Sequence, residues 1–350
     1  MQSFVPPRCP NSSCRMHYAP NPLFFVRRGA YQPMCRAKPV PRFRCRACGR
    51  GFSFQTFRAD YRDHRPHENA GLFALLTSGV GLRQSARLLK LSPGAAQRKF
   101  RKLGRVLRRL NRNLLPALPR DRTLLLDELE TFETSAIQPV AVPVVVDRDS
   151  KLVVATGAAS IRRVAAKGSR RRKWLERREA RHGKRRDQSR LCLQVVLRRC
   201  RELLGGRPAT LLTDQKPLYA RLRRQVFGDQ VVHETVSSRL PRTTWNPLFP
   251  VNHAEAMLRD NCGRLRRRSW LVSKHARYLR RQLDLFAASR NWHRPRTNHE
   301  PLQTAPGVVL GLIHRNLEVR EMLAWRQDWS RRSIHPTSPD ARSSHHSAAA

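Results

Sequence analysis

The sequence predicts an α/β fold, a mixed sheet with flanking helices, preceded by a cysteine-rich module and a run of basic helices. Three observations predict it. From Arg122 onward, Leu- and Val-rich runs alternate with polar turns, the pattern of a strand meander. Later, short apolar runs alternate with segments of helical periodicity, as in strands joined by crossing helices. Residues 1–60 instead hold Cys, Pro and aromatics with little helical periodicity.

The composition narrows the partner. The chain has 350 residues, with 70 Lys plus Arg against 25 Asp plus Glu, a formal charge of +45 and a pI near 11.7. A GC-rich genome explains the preference for Arg over Lys but not the surplus over acids. So large an excess excludes a neutral small-molecule enzyme and implies a polyanion, because cations set against phosphates release condensed counterions. DNA is the expected partner. No apolar run approaches the ~20 residues needed to span a bilayer. The N-terminal MQSFVPPRCP lacks the apolar stretch of a signal peptide. No membrane association is expected, and a cytoplasmic, nucleoid-associated location in a bacterium is. The chain has 8 Cys, and the two close pairs among them fit metal ligands in a reducing compartment better than a disulfide framework.

The elements follow in order. Residues 1–60 read as a zinc ribbon. Within 66–118, ENAGLFALLTSGV, LRQSARLLKLS and SPGAAQRKFRKLGRVLRRL carry apolar residues at three- and four-residue spacing, predicting helices. Pro116 and Pro119 break that pattern and mark a linker. The main α/β domain is expected over 120–300. There TLLLDELETFE, QPVAVPVVVD and KLVVATGAAS read as three antiparallel strands. Pro139 and Pro143 call for an edge or bulge in the second. A basic insertion occupies about 161–190. A helix around LCLQVVLRRCRELL, the strand ATLLTD, a helix around PLYARLRRQVF and the strand QVVHETVS come next. One long helical stretch is expected from Asn252 to Trp292. Residues 301–329 read as a helical extension, and 330–350 as a disordered tail.

Cys9 and Cys14 form CxxxxC, and Cys45 and Cys48 form CxxC. Four thiolates gathered by two knuckles suit a structural zinc ion and leave no open position for catalysis. Gly49 and Gly51 permit the tight turn of the second knuckle, and Phe43, Phe52 and Phe54 are expected beneath the metal. His17 and Cys35 are spare ligand candidates. Downstream, GVGLRQSARLLKLSPGAAQRKFRKLG reads as a helix-turn-helix, with Leu82, Ala86 and Leu89 inward. Ser92 is placed to cap the second helix and Pro93 to open it. Arg98, Lys99, Arg101 and Lys102 then line the helix expected in a major groove.

In a chain so poor in acids, LLLDELETFE stands out. Asp127 lies at the end of an apolar run, and ATLLTDQKPLY repeats that arrangement at Asp214. Two such strands side by side put both carboxylates at one edge of a sheet. Phosphodiester chemistry needs hard oxygen ligands for a pair of divalent ions. The expected cofactor is Mg²⁺, or Mn²⁺. A third ligand is expected from FPVNHAEAMLRDNCGRLRRRSW, where Asn252 and Glu255 share a helix face. Glu255 is the harder ligand and the one expected; Asn252 is the alternative. An ion pair of Glu255 with Arg259 is the competing structural use. Arg264, Arg266, Arg267, Arg268 and Lys274 follow, placed for phosphates.

These segments resemble the transposases of the insertion-sequence-one group and its relatives. The resemblance rests on CxxC followed by GRGF, on DELETFE, on LLTDQKPLY and on MLRDNCGRLRRRSWLVSK, and it covers the chain to about Trp292. It implies an N-terminal zinc ribbon, a helix-turn-helix and an RNase H-like core with a DDE-type triad. It also implies Mg²⁺-dependent cleavage at the terminal inverted repeats of an element and strand transfer into target DNA. Asp127 and Asp214 match the first two triad positions. Asn252 falls where insertion-sequence-one enzymes have Glu, and some related groups carry Asn there. A homo-oligomer on the DNA ends is expected by the same analogy. The alternatives are a non-catalytic DNA-binding regulator or decayed transposase, and a general nucleic-acid-coating protein. The last accounts for the charge but not for DELETFE or LLTDQ.

Overall fold

The computed structural model describes residues 4–34, 37–162, 164–241, 243–266, 270–297, 299–300 and 302–325. The chain divides between Tyr61 and Arg62 into two compact units.

The smaller unit holds a one-turn helix α1 (Arg15–Tyr18) and an antiparallel sheet of β1 (Phe25–Tyr31), β2 (Val40–Cys45) and β3 (Gly51–Ser53). Phe24, Phe43, Phe52 and Phe57 bury against Cys9, Cys14 and Cys45. Phe54, expected in that layer, is half-buried and opens a 3₁₀ turn; Phe24 and Phe57 fill the space instead. A core this small needs a further tie, which the cysteines are placed to give.

The larger unit begins with α2 (Glu68–Leu76), α3 (Leu82–Leu88) and α4 (Pro93–Leu114). Ser92 Oγ accepts the Ala95 N–H at 3.2 Å, and Pro93 takes the first helical position, where its missing donor costs nothing. Ala86, Leu91 and Ala96 bury between α3 and α4, with Leu82 and Leu89 packed on them. Beyond that small cluster, α2 and α4 pack into the main core. Leu72, Phe100, Leu107 and Leu114 share one apolar cluster with Leu124 and Leu126 of the sheet.

The mixed sheet runs β6-β5-β4-β8-β9, built from β4 (Arg122–Glu133), β5 (Ser135–Asp147), β6 (Val153–Thr156), β8 (Ala209–Asp214) and β9 (Val231–Val236). The first three form the expected antiparallel meander, while β8 and β9 run parallel to β4. The short β7 (Ala159–Ser160) also pairs with β5. β5 is internal despite its prolines. The Pro143 carbonyl accepts from Gly157 at 3.1 Å, in the gap between the β6 and β7 pairings, so its absent N–H interrupts no ladder. Alternation along β4 sends Leu124 and Leu126 to one core and Leu125 and Leu129 to another.

Helices cover both faces. α5 (Arg170–His182) spans part of the basic insertion, followed by α6 (Ser189–Leu204) and α7 (Pro217–Phe227). The long helix expected from Asn252 to Trp292 is instead two, α8 (Phe249–Asn261) and α9 (Ala276–Trp292). The break has a tertiary cause. Gly79 N–H donates to Asn261 O at 2.9 Å, and a Cβ on Gly263 would lie 2.7 Å from the Gly79 carbonyl. The chain must open there to let the α2–α3 turn in. Two short helices, α10 (Pro306–Val309) and α11 (Val319–Leu323), return to the core, where Met322 is fully buried. No helix of the described residues is long and apolar enough to cross a membrane. The tail 330–350 lies outside the described residues.

Candidate active site and metal centre

The smaller unit brings Cys9, Cys14, Cys45 and Cys48 together, with one ligand atom from each within 4.8 Å of all the others. Cys9 Sγ lies 3.6 Å from Cys48 Sγ, and Cys14 Sγ lies 3.9 Å from Cys45 Sγ. Zn–S bonds of ~2.3 Å at tetrahedral angles put sulfurs about 3.8 Å apart. The four thiols therefore fit a zinc ion. Each knuckle closes through its backbone: Gly49 N–H donates to Cys45 O at 3.0 Å, with Gly49 in the left-handed region at φ +70°. Cys14 N–H donates to Asn11 O at 3.1 Å. Burial pushes the Cys9 thiol up to about 12 and also raises Cys14. The Arg50 backbone N–H brings Cys48 down to about 7. Buried thiols that resist ionisation need a cation to become ligands, which a divalent metal supplies. His17 is not part of the cluster; its Nδ1 lies 2.8 Å from the Cys9 carbonyl, buttressing the first knuckle. Cys35 lies outside the described residues.

In the larger unit, the carboxylates follow from strand register. β4 and β8 pair in parallel from Arg122↔Ala209 to Leu126↔Thr213, so Asp127 and Asp214 are the next residues on neighbouring strands. Asp214 ends β8, as expected from the sequence. Asp127 does not end β4, which continues to Glu133 along β5 alone. The pleat gives Asp127 the face of Leu125 and Leu129, and Asp214 the face of Leu212. That face is covered by α8, whose Val251, Ala254 and Leu258 join the same apolar cluster. Glu255 lies on the sheet-facing side of α8 and is 9% exposed; Asn252, one turn earlier, is half-buried. Both aspartates are half-buried. Asp214 Oδ1 accepts the Lys216 N–H at 3.0 Å, which fixes the turn into α7. Arg259 reaches back to the Glu130 carbonyl at 3.5 Å.

The expected phosphate contacts separate into kinds. Arg98, Arg101, Arg266 and Lys274 are exposed, and Lys102 is half-buried. Lys99 is withdrawn from solvent. It is 7% exposed, and its ammonium donates to Asp63, to the Arg65 carbonyl at 2.7 Å and to Asn69 Oδ1 at 2.9 Å. Its position among Ala96, Phe100 and Leu103 faces inward, so it braces the start of the helical region. Arg264 lies over the Phe100 and Tyr278 rings, at 5.1 and 5.9 Å, and burial lowers its guanidinium. That placement ties α9 to α4. Arg267 and Arg268 lie outside the described residues.

Sequence reasoning missed the groups on the opposite face of β4. Glu128 accepts a hydrogen bond from the Tyr219 hydroxyl at 3.1 Å and pairs with Lys216. The signal was present, since residues adjacent on a strand point to opposite faces and Glu128 directly follows Asp127.

No known protein family matches the chain, and no curated protein matches it. Among solved structures, it is similar to a chain of the simian T-cell lymphotropic virus intasome in complex with the PP2A regulatory subunit B56 gamma. The two are 13% identical over 69% of this chain and 74% of that one, with a TM-score of 0.29.

Proposed function

We propose that the chain is a DDE-type transposase that cuts DNA at the ends of an insertion sequence and joins those ends to target DNA. One observation carries the reading: Asp127 and Asp214 occupy adjacent positions on neighbouring parallel strands, on the sheet face that α8 covers. The strand order, with a three-stranded meander extended by two parallel strands, supports an RNase H-like core. In this reading residues 1–60 are a zinc ribbon, 66–118 a DNA-recognition region and 120–300 the catalytic domain.

The donor set suits hard divalent ions, since carboxylate oxygens are what Mg²⁺ or Mn²⁺ prefers. Asp127, Asp214 and Glu255 would hold them, with Asn252 as the alternative third ligand. When bound, the ions supply Lewis acidity to a water or 3′-hydroxyl nucleophile and to the leaving oxygen. The chain's own part is positional. β4 and β8 hold two carboxylates on rigid elements, and exposed Arg98, Arg101, Arg266 and Lys274 bind phosphates. Joining two DNA ends favours a homo-oligomer on DNA.

The test uses DNA from the borders of the gene, incubated with the full chain and Mg²⁺ or Mn²⁺. Asp127→Asn and Asp214→Asn are each expected to abolish cleavage and joining while leaving DNA binding in place. Full activity in both variants would overturn the reading. Metal-independent binding without cleavage by the unmodified chain would leave a DNA-binding regulator.

A further inference from the structure

Between α4, α6 and α9 the larger unit carries a cavity of about 680 Å³ that the carboxylate site does not use. Arg101, Arg105 and Arg108 enter it from α4, at the four- and three-residue spacing of one helix face. Arg277, Arg280 and Arg281 enter it from α9. The two helices can bring these rows together because they meet at Gly104, where a Cβ would lie 2.7 Å from Arg281 Cδ and 2.9 Å from its Cβ. Among the described lining residues Asp284 is the sole acid, and it lies 3.6 Å from Arg281. Six guanidinium groups against one carboxylate repel each other in the free protein. An anionic ligand relieves that repulsion.

The remaining wall has another chemistry. Leu191 and Val195, one turn apart on α6, line the cavity and are 63% and 64% exposed. Tyr278 adds an aromatic ring from α9. A duplex buries its base faces and offers mainly phosphates, for which apolar side chains have no use. An unpaired strand offers both phosphates for guanidinium forks and base faces for apolar and aromatic side chains.

The floor includes Thr156, and Thr156 pairs with Val144, which pairs with Asp127. The three lie in one row across the sheet. Strands stand about 4.8 Å apart, so Thr156 is about 10 Å from Asp127 along that row. The intervening Val144 is fully buried beneath α8, so the row marks neighbourhood within the sheet and not a path for the strand.

We propose that the cavity between α4, α6 and α9, beside β6 at the end of the sheet, holds a short unpaired segment of a DNA strand. Its relation to a reaction centre rests on the function proposed above; strand binding itself does not. The experiment uses the full chain in buffer without magnesium or manganese and reads fluorescence anisotropy of two labelled DNAs. One is a blunt duplex, and the other is the same duplex with a short single-stranded overhang. The unmodified chain is expected to bind the overhang DNA about tenfold more tightly, the scale of base stacking on a protein surface. Arg105→Ser with Arg280→Ser is expected to remove that preference, and so is Leu191→Ser with Val195→Ser, at exposed positions whose change spares the core. Blunt-duplex affinity is expected to stay within about twofold, since the net charge that drives it is nearly intact. Equal binding of both DNAs by the unmodified chain would overturn the proposal, as would a preference that survives both double variants. Cleavage by Asp127→Asn does not enter this ratio, so the two proposals fail separately.

Discussion

Tyr219 donates its hydroxyl hydrogen to Glu128 Oε2 at 3.1 Å, joining the first turn of α7 to the middle of β4. Tyr219 is 1% exposed, and Lys216 approaches the same carboxylate oxygen. Burial, followed by the charges of Glu128, Asp127 and Asp214, raises the phenol far above its ordinary 10.0. The hydroxyl therefore stays protonated and serves as a fixed donor. Because β4 alternates, Glu128 anchors the strand from one face while Asp127 projects on the other.

Tyr219→Phe keeps the buried ring and removes the donor. Hydrogen bonds to charged groups contribute about 1.5–3 kcal/mol, and Lys216 retains part of the Glu128 interaction. A loss of about 1–2 kcal/mol in unfolding free energy is expected by denaturant titration. An unchanged midpoint would show that Lys216 alone satisfies Glu128.

Lys99 offers a second stability test, because it pairs with Asp63 out of solvent. Burial works to raise the Asp63 carboxyl, but hydrogen bonds from Lys99 and Asn69 outweigh it and hold it below its ordinary 3.8. A depressed carboxyl contributes stability above its unfolded pKa and loses it as pH falls through the folded value. The pair's contribution should thus be full at neutral pH and fade in acid, below about pH 4. Lys99→Met, which removes the buried cation from Asp63 and leaves it hydrogen bonds from Asn69 and the Arg65 N–H, is expected to cost about 3–5 kcal/mol at pH 7 and less in acid. Thermal unfolding across pH checks both the size and the trend.

Several features were legible in the sequence because their cause is local. Alternating Leu and Val runs gave the meander, and Ser92 with Pro93 gave the start of α4. Apolar runs that stop at Asp127 and Asp214 pointed to neighbouring strand positions. Other features depend on residues far apart in the chain. The break between α8 and α9 follows from Gly79 meeting Asn261 and Gly263. The arginine-lined cavity exists only once α4 packs on α9 at Gly104. Charge alone would set Lys99 in solvent, but its spacing from Ala96 and Leu103 sets it on the inner face of α4.

Gly104 turns that close approach into a measurable quantity. Arg281 could swing its far end aside, but its Cβ, 2.9 Å from an added methyl, cannot move without α9. Gly104→Ala gains helix propensity of up to about 1 kcal/mol. The overpacking cost is about 1–3 kcal/mol, so a net destabilisation is expected. Stabilisation in a denaturant melt would mean that α4 and α9 separate easily.

The sulfur cluster predicts one zinc per chain and a local effect on its removal. Three of its four cysteines are buried with the phenylalanines of the smaller unit. Without the cation, burial keeps Cys9 protonated and the knuckles lose their common tie. Cys45→Ser should lower bound zinc, measured by metal analysis, and expose residues 4–61 to proteolysis. The unit spanning Arg62–Trp325 has its own core and should remain resistant. Full protection of residues 4–61 in the metal-free variant would show that the phenylalanine layer holds alone.

Glu255 and Asn252 share a face of α8 but differ in what they can give a cation. Glu255 sits deeper, between Ala254 and Leu258 on the side packed against the sheet, and carries a full negative charge when ionised. Asn252 offers a neutral carbonyl oxygen and binds a hard ion more weakly. If Glu255 completes the set with Asp127 and Asp214, Glu255→Gln keeps the shape and removes the charge. Mn²⁺ titration followed by electron paramagnetic resonance should then show affinity falling at least about tenfold, within the range seen when support for a bound metal is lost. Asn252→Ala should change it less, because the removed oxygen is uncharged. The reverse ranking would assign the third ligand to Asn252. Unchanged affinity in both variants would mean that α8 covers the two aspartates without contributing to the ion they hold.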